Sequence, residues 1–329
     1  MLNHRTYIHA GHSKLTRWLA GLMLALCASI SLAEAEAPKE RAVLITGASS
    51  GSGRAMTESL SQKGFHVYAG ARKAADLKAL DALDNVTAVR LDVTVSADIE
   101  AAVQQVTQAG RGLFAVVNNA GVGLMAPLIE LEESDLDFIF DVNVYGPYRI
   151  TRAFAPLLIE SRGRVVNIGS IAGVQTRTFY GPYSMSKHAL EAFNDALAIE
   201  LERFGVTSTI VDPGGFRSNI GKNIQARLSS RGVDIEGSLY REDWERNWVV
   251  AEKGDITGVP GPELVADVVE DVLLAETPRR RYMTVGDAGR AENTMRALLR
   301  RMVEFNRDQA FSYTEEELAA MLAEEYAAP

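Results

Sequence analysis

Short apolar runs alternate with amphipathic stretches along most of the chain, starting near Arg41. The runs are rich in β-branched residues and bounded by turn-forming ones, as strands are. They are RAVLIT, HVYAG, TAVRLD, LFAVVN, GRVVNIG, VTSTIVD and, late in the chain, RYMTV. Between them, stretches such as ADIEAAVQQVTQ repeat apolar residues every three or four positions, as amphipathic helices do. The alternation predicts an α/β fold, a single doubly wound domain with a central parallel sheet of about seven strands and helices on both faces.

One segment, from Phe216 to Pro262, interrupts the alternation. It is rich in glycine, serine and charged residues, and it contains Tyr240, Trp244 and Trp248. Insertions of this length usually have a function or are mobile, so the segment is predicted to be a substrate loop or lid. Its aromatic residues favour an apolar substrate, although packing in the core would explain them equally well.

The two ends of the chain have patterns of their own. Residues 1–35 contain cations followed by an uncharged apolar run and then small residues, as a secretory signal peptide or an N-terminal membrane anchor does. A periplasmic, secreted or membrane-anchored protein is therefore expected, and a start codon placed too far upstream would instead mean a cytoplasmic one. The domain is predicted to span 41–310, and 311–329 to be a helical extension, because Thr314 and Glu317 have the spacing of a capping box.

Composition argues against several classes of protein. The formal net charge of −9 does not suit an extended nucleic-acid surface, which needs an excess of cations. The single cysteine, Cys27, lies in the N-terminal segment and excludes an intrachain disulfide. The histidines show no ligand spacing within the predicted domain, so no metal site is expected.

A glycine-rich segment, TGASSGSG, runs from Thr46 to Gly53 between the first predicted strand and a helical pattern. In a parallel sheet such a turn lies at the carboxyl end of a strand. Glycines there let the backbone approach a pyrophosphate, and the helix N-terminus offers free N–H groups. Gly47, Gly51 and Gly53 are the expected contacts of a dinucleotide. Glycines also serve tight turns and close packing, and the strand–turn–helix context favours the cofactor.

Four polar side chains have the chemistry of a proton-transfer site. Tyr183 and Lys187 are four residues apart at the start of an amphipathic helix, so both project from one face. A nearby ammonium favours the phenolate of tyrosine, whose free pKa is about 10. Ser170 follows a strand, at the edge where α/β sheets bind ligands, and Asn143 lies in an amphipathic helix. Taken singly, they also suit an exposed helix face, a turn or cap, and an interhelical hydrogen bond.

In combination, these motifs resemble the classical short-chain dehydrogenase/reductase family. The motifs, in family order, are TGASSGSG, NNAG, Asn143 in DVNVYG, Ser170 in IGSIAG, YSMSK and DPGGFRS, which together cover Ala42 to Ser218. The resemblance implies a Rossmann-type fold, a homo-oligomer, and an NAD(P)-dependent oxidoreductase that moves a hydride between nicotinamide and a carbonyl or alcohol carbon. GARK, PGGFRS and PRRRY resemble the retinol and hydroxysteroid dehydrogenase branch. A non-catalytic dinucleotide-binding regulator and a dehydratase or epimerase are the alternatives on this scaffold.

The resemblance also implies a role for each of the four polar side chains. Tyr183 is the catalytic acid/base. Lys187 lowers its pKa together with the charge of the oxidised nicotinamide, and it holds the nicotinamide ribose. Ser170 hydrogen-bonds the substrate oxygen, where negative charge develops. Asn143 anchors a water in a proton relay from Lys187.

Further residues implied to bind the cofactor follow the predicted strands. They are Thr46, Ser49 and Ser50 beside the three loop glycines, Asp92 after the third strand, Asn119 in NNAG, and Pro213, Gly214 and Ser218 after the sixth. Asp92 resembles the residue that meets the adenine amino group, and capping of the next helix by Asp92 or Thr94 is the simpler alternative. Ser218 stands where the family often has threonine.

The end of the second predicted strand bears on the choice of cofactor. An acidic residue there selects NAD, because a carboxylate accepts the ribose hydroxyls and repels a 2′-phosphate. This strand ends in GARK instead, so Arg72 and Lys73 lie where that phosphate would bind. NADP is therefore preferred over NAD, with Arg72 as the main determinant, unless the two cations are only solvated charges at the start of a helix.

Overall fold

A seven-stranded parallel sheet forms the centre of the domain in a computed structural model that describes residues 41–246 and 259–327. The strands are β1 (Ala42–Ile45), β2 (His66–Ala71), β3 (Val86–Arg90), β4 (Ala115–Asn118), β5 (Arg164–Ile168), β6 (Thr207–Pro213) and β7 (Arg281–Thr284). Their order in the sheet is β3-β2-β1-β4-β5-β6-β7. The chain moves outward from β1 to β3 and then returns to place β4 beside β1, which opens a crevice at the carboxyl ends of these two strands. The predicted α/β fold is confirmed.

Helices connect the strands and cover both faces of the sheet. They are α1 (Gly51–Gln62), α2 (Ala74–Asp81), α3 (Ser96–Gln108), α4 (Glu133–Phe140), α5 (Gly146–Ser161), α6 (Gly181–Glu202), α7 (Ile220–Arg231), α8 (Glu263–Leu274), α9 (Ala288–Asn306) and α10 (Glu315–Ala327). A π-helical turn, Asp141–Tyr145, joins α4 to α5. Because both faces are covered, the strands are nearly continuous apolar runs, as buried parallel strands usually are.

The core has two layers, one on each side of the sheet. On one side, Ile45 of β1 belongs to the same buried cluster as Met56 of α1 and Val269 of α8. On the other side, Leu44 belongs to a cluster with Phe154 of α5. Successive residues of β1 therefore point to opposite layers, as the pleat of a strand requires.

The segment predicted as a lid contains a helix that its sequence pattern did not reveal. Within 216–262, α7 places Ile224 and Leu228 one turn apart, and both pack in a cluster with Trp244. Only these two residues of α7 are buried, and polar or charged residues surround them. The apolar stripe is therefore too narrow for the helical period to stand out.

The structure tests the prediction for the C-terminal end of the chain but not the prediction for its N-terminal end. The N-terminal segment, residues 1–35, lies outside the described residues. Among the helices in the described part of the chain, none combines the length and the apolar character that crossing a membrane requires. At the other end, the N–H of Thr314 donates to Glu317 Oε2 at 2.8 Å, and the N–H of Glu317 donates to Thr314 Oγ1 at 3.2 Å. These are the two hydrogen bonds of a capping box at the start of α10.

Gly53 allows α1 to pack closely against the loop that precedes it. A Cβ at this position would lie 2.3 Å from the carbonyl oxygen of Gly47 and 2.5 Å from Asn119 Nδ2. Both distances are far below van der Waals contact, and one of the atoms is backbone. Any side chain here would therefore push α1 away from β1 and β4.

Replacing Gly53 by alanine should lower the free energy of unfolding by about 1–3 kcal/mol, the usual cost of overpacking. Gly221 is the matched control, because it lies inside α7 and a Cβ there would meet nothing within 4 Å. Gly221→Ala should raise stability by about 0.5–1 kcal/mol. Denaturant unfolding of both variants measures the two changes in stability. If Gly53→Ala is as stable as Gly221→Ala, the close approach of α1 at Gly53 does not limit the size of this residue.

Candidate active site

The predicted site residues gather at one edge of the sheet. Because all strands are parallel, the residues that follow them lie at the same carboxyl edge. In chain order these are Thr46 after β1, Arg72 after β2, Asp92 after β3, Asn119 after β4, Ser170 after β5 and Pro213 at the end of β6. Residues spread over more than half of the sequence thus line one crevice.

The glycine loop after β1 has the form of an anion cradle. Gly47 has φ +65° and Gly51 has φ +54°, a region that favours glycine. Ser49 and Ser50 are exposed at the mouth of the loop. Ser50 is the N-cap of α1 in an extended conformation, and its side chain makes no capping hydrogen bond. The first N–H groups of α1 thus lack a side-chain cap, and this arrangement fits the pyrophosphate of a dinucleotide.

Thr46 and Asn119 join the loops after β1 and β4. The Thr46 hydroxyl accepts hydrogen bonds from the N–H groups of Asn119 and Ala120, both at 3.0 Å. Asn119 Nδ2 donates to the carbonyl oxygens of Thr46 at 2.9 Å and of Gly47 at 3.1 Å. Both residues were predicted to bind the cofactor. In the structure these contacts hold the glycine loop in shape.

Arg72 and Asp92 lie together beyond the ends of β2 and β3. Their side chains are 3.5 Å apart, and that of Arg72 is 64% exposed. Asp92 Oδ1 also accepts hydrogen bonds from the N–H of Thr94 at 3.0 Å and from its hydroxyl at 2.8 Å. Burial raises the pKa of Asp92, but the bonds from Thr94 and the charge of Arg72 outweigh it, so the pKa lies below its ordinary value. The N-cap of α3 is Val95, so neither Asp92 nor Thr94 caps that helix.

Tyr183, Lys187 and Ser170 meet between β5 and the start of α6. The Ser170 side chain lies close enough to the Tyr183 hydroxyl to lower its pKa. Lys187 is buried, its Nζ donates to the carbonyl oxygen of Ile168 at 2.7 Å, and it lies 5.7 Å from the centroid of the Tyr183 ring. The three side chains that the sequence singled out are thus brought together.

Burial dominates the electrostatics of this group. It raises the pKa of Tyr183 to about 12, although the Ser170 side chain acts in the opposite direction. Burial also lowers the pKa of Lys187 to about 8, while Asp212 and Glu191 favour its charged form. Lys187 was expected to favour the phenolate, but burial is the largest influence on the pKa of Tyr183, and it favours the phenol. A neutral phenol lies beside a lysine that titrates near neutral pH.

Asn143 lies in the π-helical turn and is fully buried. Its Oδ1 accepts from the N–H of Val122 at 2.8 Å, and its Nδ2 donates to the Val122 carbonyl oxygen at 2.9 Å and to Ser186 Oγ at 3.0 Å. Ser186 in turn donates to the carbonyl oxygen of Tyr183 at 2.8 Å. Asn143 therefore fixes the first turn of α6, which carries Tyr183 and Lys187. Ser186 lies inside the YSMSK motif but was not among the predicted site residues.

The loop after β6 closes the other side of the crevice. The carbonyl oxygen of Pro213 lies 3.4 Å from Ser170 Oγ, and the N–H of Gly214 donates to the carbonyl oxygen of Thr284 at 2.7 Å. Ser218 is exposed, and its Cβ lies 3.5 Å from the place where a Cβ of Gly51 would be. The predicted nicotinamide-side residues thus face the predicted phosphate-side residues across one cleft.

Two acidic residues beside this site were not singled out from the sequence. Asp212, at the end of β6, accepts a hydrogen bond from the N–H of Ser170 at 2.9 Å. Glu191 lies one turn beyond Lys187 on α6. A polar residue at every fourth position from Tyr183 onward is the signal that could have revealed Glu191.

The aromatic residues of the predicted lid have different environments. Trp244 is buried, with its ring centroid 4.6 Å from that of Phe179, and Tyr240 packs edge-on against Phe179 at 6.0 Å. Phe216 packs against the main core instead. Trp248 lies outside the described residues. Trp244 and Tyr240 thus support the segment just before Tyr183, and among the described residues no group of three His, Cys, Asp or Glu side chains could hold a metal ion.

Comparisons with known proteins agree with this geometry. The family model described as short chain dehydrogenase matches residues 41–229. Retinol dehydrogenase 7 of Rattus norvegicus is 34% identical over 262 residues, which cover 76% of this chain and 82% of the relative. Short-chain dehydrogenase PC-15 of Penicillium crustosum is 42% identical over 184 residues, 55% of this chain and 68% of the relative.

A solved structure gives the same result for the fold. The closed form of serine dehydrogenase complexed with NADP+ superposes with a TM-score of 0.62 at 26% identity, covering 74% of this chain and 94% of that one. The matched family, the glycine loop and the seven-stranded parallel sheet identify an NAD(P)-dependent oxidoreductase that acts on CH-OH groups. This chain belongs to the short chain dehydrogenase family, within which its sequence is similar to the retinol dehydrogenases.

Proposed function

We propose that this oxidoreductase interconverts an apolar secondary alcohol and its ketone, or a primary alcohol and its aldehyde, with Tyr183 as the catalytic acid/base. The observation that carries the proposal is that the Ser170 side chain lies close enough to the Tyr183 hydroxyl to affect its pKa, with buried Lys187 one turn further along the same helix. A regulator that only binds a dinucleotide has no use for this arrangement. The two hydroxyls form a place where a single substrate oxygen can be bound and protonated.

The reaction can be written from the positions of these side chains. When bound, the nicotinamide supplies or accepts a hydride at the substrate carbon. Ser170 donates a hydrogen bond to the carbonyl oxygen, where negative charge develops. Tyr183 gives its hydroxyl proton to that oxygen, so the carbonyl becomes an alcohol and the phenol becomes a phenolate. The Lys187 ammonium stabilises the phenolate until a proton from solvent restores it, and oxidation is the reverse.

The pKa of Tyr183 bears on the direction of the reaction. At about 12, it keeps the phenol protonated at neutral pH, which is the form that reduction needs. Oxidation needs the phenolate, and the positive charge of an oxidised nicotinamide favours that form because opposite charges stabilise each other. Tyr183 is thus in the form that acts as an acid in reduction, and its action as a base in oxidation would need a positive charge nearby.

An apolar substrate is supported by the surroundings of Tyr183. The cluster formed by Phe179 and Trp244 lies beside the start of α6, together with Ile224 and Leu228 of α7. Phe179 has φ +66°, which is unusual for a bulky residue and costs on the order of 1–3 kcal/mol. Packing against Trp244 offsets this cost and makes the segment just before α6 apolar, which supports an apolar substrate.

A preference for NADP is supported by the charges beyond β2. No acidic residue ends this strand, and Arg72 and Lys73 are exposed there. Arg72 already lies 3.5 Å from the Asp92 carboxylate, so its guanidinium points toward the neighbouring strand end at the crevice. A guanidinium at this position fits a 2′-phosphate, which it can bind through two hydrogen bonds.

Export from the cytoplasm, or anchoring through residues 1–35, is also proposed, on the strength of the cations and the apolar run in that segment. N-terminal sequencing of the protein made in its native host should give a start near Ala33 or Ala35 if the segment is cleaved. An uncleaved anchor should appear as full-length protein in the membrane fraction. Full-length protein that begins at Met1 in the soluble cytosolic fraction would contradict the proposal.

Replacing Tyr183 by phenylalanine should lower kcat by about 10²- to 10⁴-fold, the usual contribution of general acid–base catalysis. Cofactor binding, followed by nicotinamide fluorescence, should change little, because only the hydroxyl is removed. Tyr148→Phe is the matched control, since Tyr148 is an exposed tyrosine on α5. Full turnover of apolar ketones by the Tyr183 variant would show that another group supplies the proton.

Arg72→Asp should lower the ratio of kcat/KM for NADP(H) to that for NAD(H) by about 10- to 100-fold, as expected for a lost hydrogen bond to a charged group of about 1.5–3 kcal/mol. Arg296→Asp makes the same change of charge at a similarly exposed position on α9, where the side chain is 67% exposed. Steady-state kinetics with both cofactors measures the ratio. An unchanged ratio in the Arg72 variant would contradict the proposed preference.

A further inference from the structure

Two carboxyl groups are buried directly behind the proposed catalytic residues. Asp212, at the end of β6, is 7% exposed, and Glu191, on α6, is 8% exposed. Neither touches the substrate in the proposed reaction. Burying two acidic side chains side by side is costly unless each has partners for its charge and its hydrogen bonds, so their contacts need an explanation.

The partners of the two carboxyl groups differ. Asp212 Oδ1 accepts from the N–H of Ser170 at 2.9 Å. Glu191 Oε2 accepts from Arg281 Nε at 2.9 Å, and the same guanidinium donates to Asp195 Oδ2 at 2.6 Å. Glu191 Oε1 is buried, and in the described part of the chain no N–H or O–H group donates to it. The carboxyl of Asp212 faces Glu191 within hydrogen-bonding reach.

Two glycines leave room for this pair. A Cβ on Gly169 would lie 2.1 Å from Asp212 Oδ1, and a Cβ on Gly173 would lie 3.0 Å from Glu191 Oε1. Both glycines belong to the IGSIAG motif around Ser170. The turn that carries Ser170 therefore packs closely against both carboxyl groups, and a larger residue at either glycine would displace them.

Two touching carboxylates cannot both be ionised at low cost, so such pairs share a proton. Glu191 has the guanidinium of Arg281 beside it, and Asp212 has no arginine contact of this kind in the described residues. Burial and the neighbouring Glu191 raise the pKa of Asp212 to about 8, although the Ser170 N–H and the charge of Lys187 act in the opposite direction. Asp212 is therefore the member of the pair that holds the proton at neutral pH.

We infer that Asp212 is a neutral positioning residue, which holds the Ser170 backbone with one oxygen while its hydroxyl donates to Glu191 Oε1. The shared proton satisfies the one buried oxygen of the pair that otherwise lacks a donor. It also keeps a second negative charge away from Tyr183, whose phenolate that charge would oppose. The effect on turnover rests on the proposed function, whereas the protonation of Asp212 does not.

The shared proton should be detectable in the pH dependence of activity. The groups that face the pair are Lys187, Tyr183 and Asp195 on α6 and Arg281 on β7. Burial still favours neutral Asp212 in Glu191→Gln, but this variant removes the next largest cause of its raised pKa, so a larger fraction of Asp212 should ionise at neutral pH and raise the pKa of Tyr183. The acidic limb of the alcohol oxidation profile should then move to higher pH by about one unit.

Asparagine at position 212 mimics the protonated form, because its amide also accepts with one atom and donates with the other. Asp212→Asn should keep kcat within about twofold at neutral pH and should cancel the shift caused by Glu191→Gln in the double variant. Asp195→Asn is the matched control, since it removes a carboxylate from the same arginine without touching Asp212 or Ser170, and it should leave the limb in place. A folded, cofactor-binding Asp212→Asn protein that has lost turnover would overturn the inference, because the site would then need the carboxylate.

Two measurements need no substrate and separate this inference from the proposed reaction. Infrared spectra of the wild-type protein at neutral pH should contain the carbonyl band of a buried carboxylic acid, and this band should be missing in Asp212→Asn. The pKa of Asp212 is raised from its ordinary value of about 4 to about 8. Its contribution to stability should therefore be complete below about pH 4 and lost as the pH rises to about 8.

The difference in melting temperature between Asp212→Asn and the wild type should accordingly grow over this pH range in favour of the variant. If the infrared band and the change in melting temperature are both seen but no ketone is turned over, the shared proton is supported and the proposed function is contradicted. Turnover without either signal would overturn the shared proton alone.

Discussion

The parallel direction of all strands is the constraint on which this site depends. It places the carboxyl ends of β1 to β6 at one edge of the sheet. Residues from the six loops that follow these strands can therefore meet in one crevice. The return of the chain from β3 to β4 then separates the two loops between which a dinucleotide fits. Hydrogen bonds between Thr46 and Asn119 join the loop after β1 to the loop after β4. The position of the glycine loop therefore follows from the order and direction of the strands, and does not depend on the proposed catalytic side chains.

Burial, more than charge, sets the chemical character of the reacting groups. The same dry environment moves Tyr183 and Lys187 toward their neutral forms, and it moves Asp212 in the same direction. In a buried environment a charge acts more strongly on its neighbours than it does in water, so each charged group close to Tyr183 has a large effect on its pKa. The charged groups nearest to these residues have defined partners, such as Arg281 beside Glu191.

The sequence predicted those features that depend on local spacing. Strand and helix periods, the turn after β1 and the four-residue spacing of Tyr183 and Lys187 are all read within short windows of chain, and the structure agrees with them. The pairing of Asp212 with Glu191 could not be predicted in this way, because it joins a strand end to a helix face through tertiary packing. α7 was missed for a related reason: only Ile224 and Leu228 are buried, so its apolar stripe is too short to give a period. The raised pKa of Tyr183 depends on burial, which no local pattern reports.

Phe179 links the chemistry to the segment beyond β6. Its left-handed backbone conformation is held by the ring of Trp244, and it lies four residues before the reacting tyrosine. The segment just before α6 thus depends on a contact with a residue more than sixty positions further along the chain. Trp244 is itself buried, so this support comes from packing inside the segment 216–262 and not from its surface. Under the proposed function, the segment 216–262 can therefore influence the reaction rate through packing as well as through contact with a substrate.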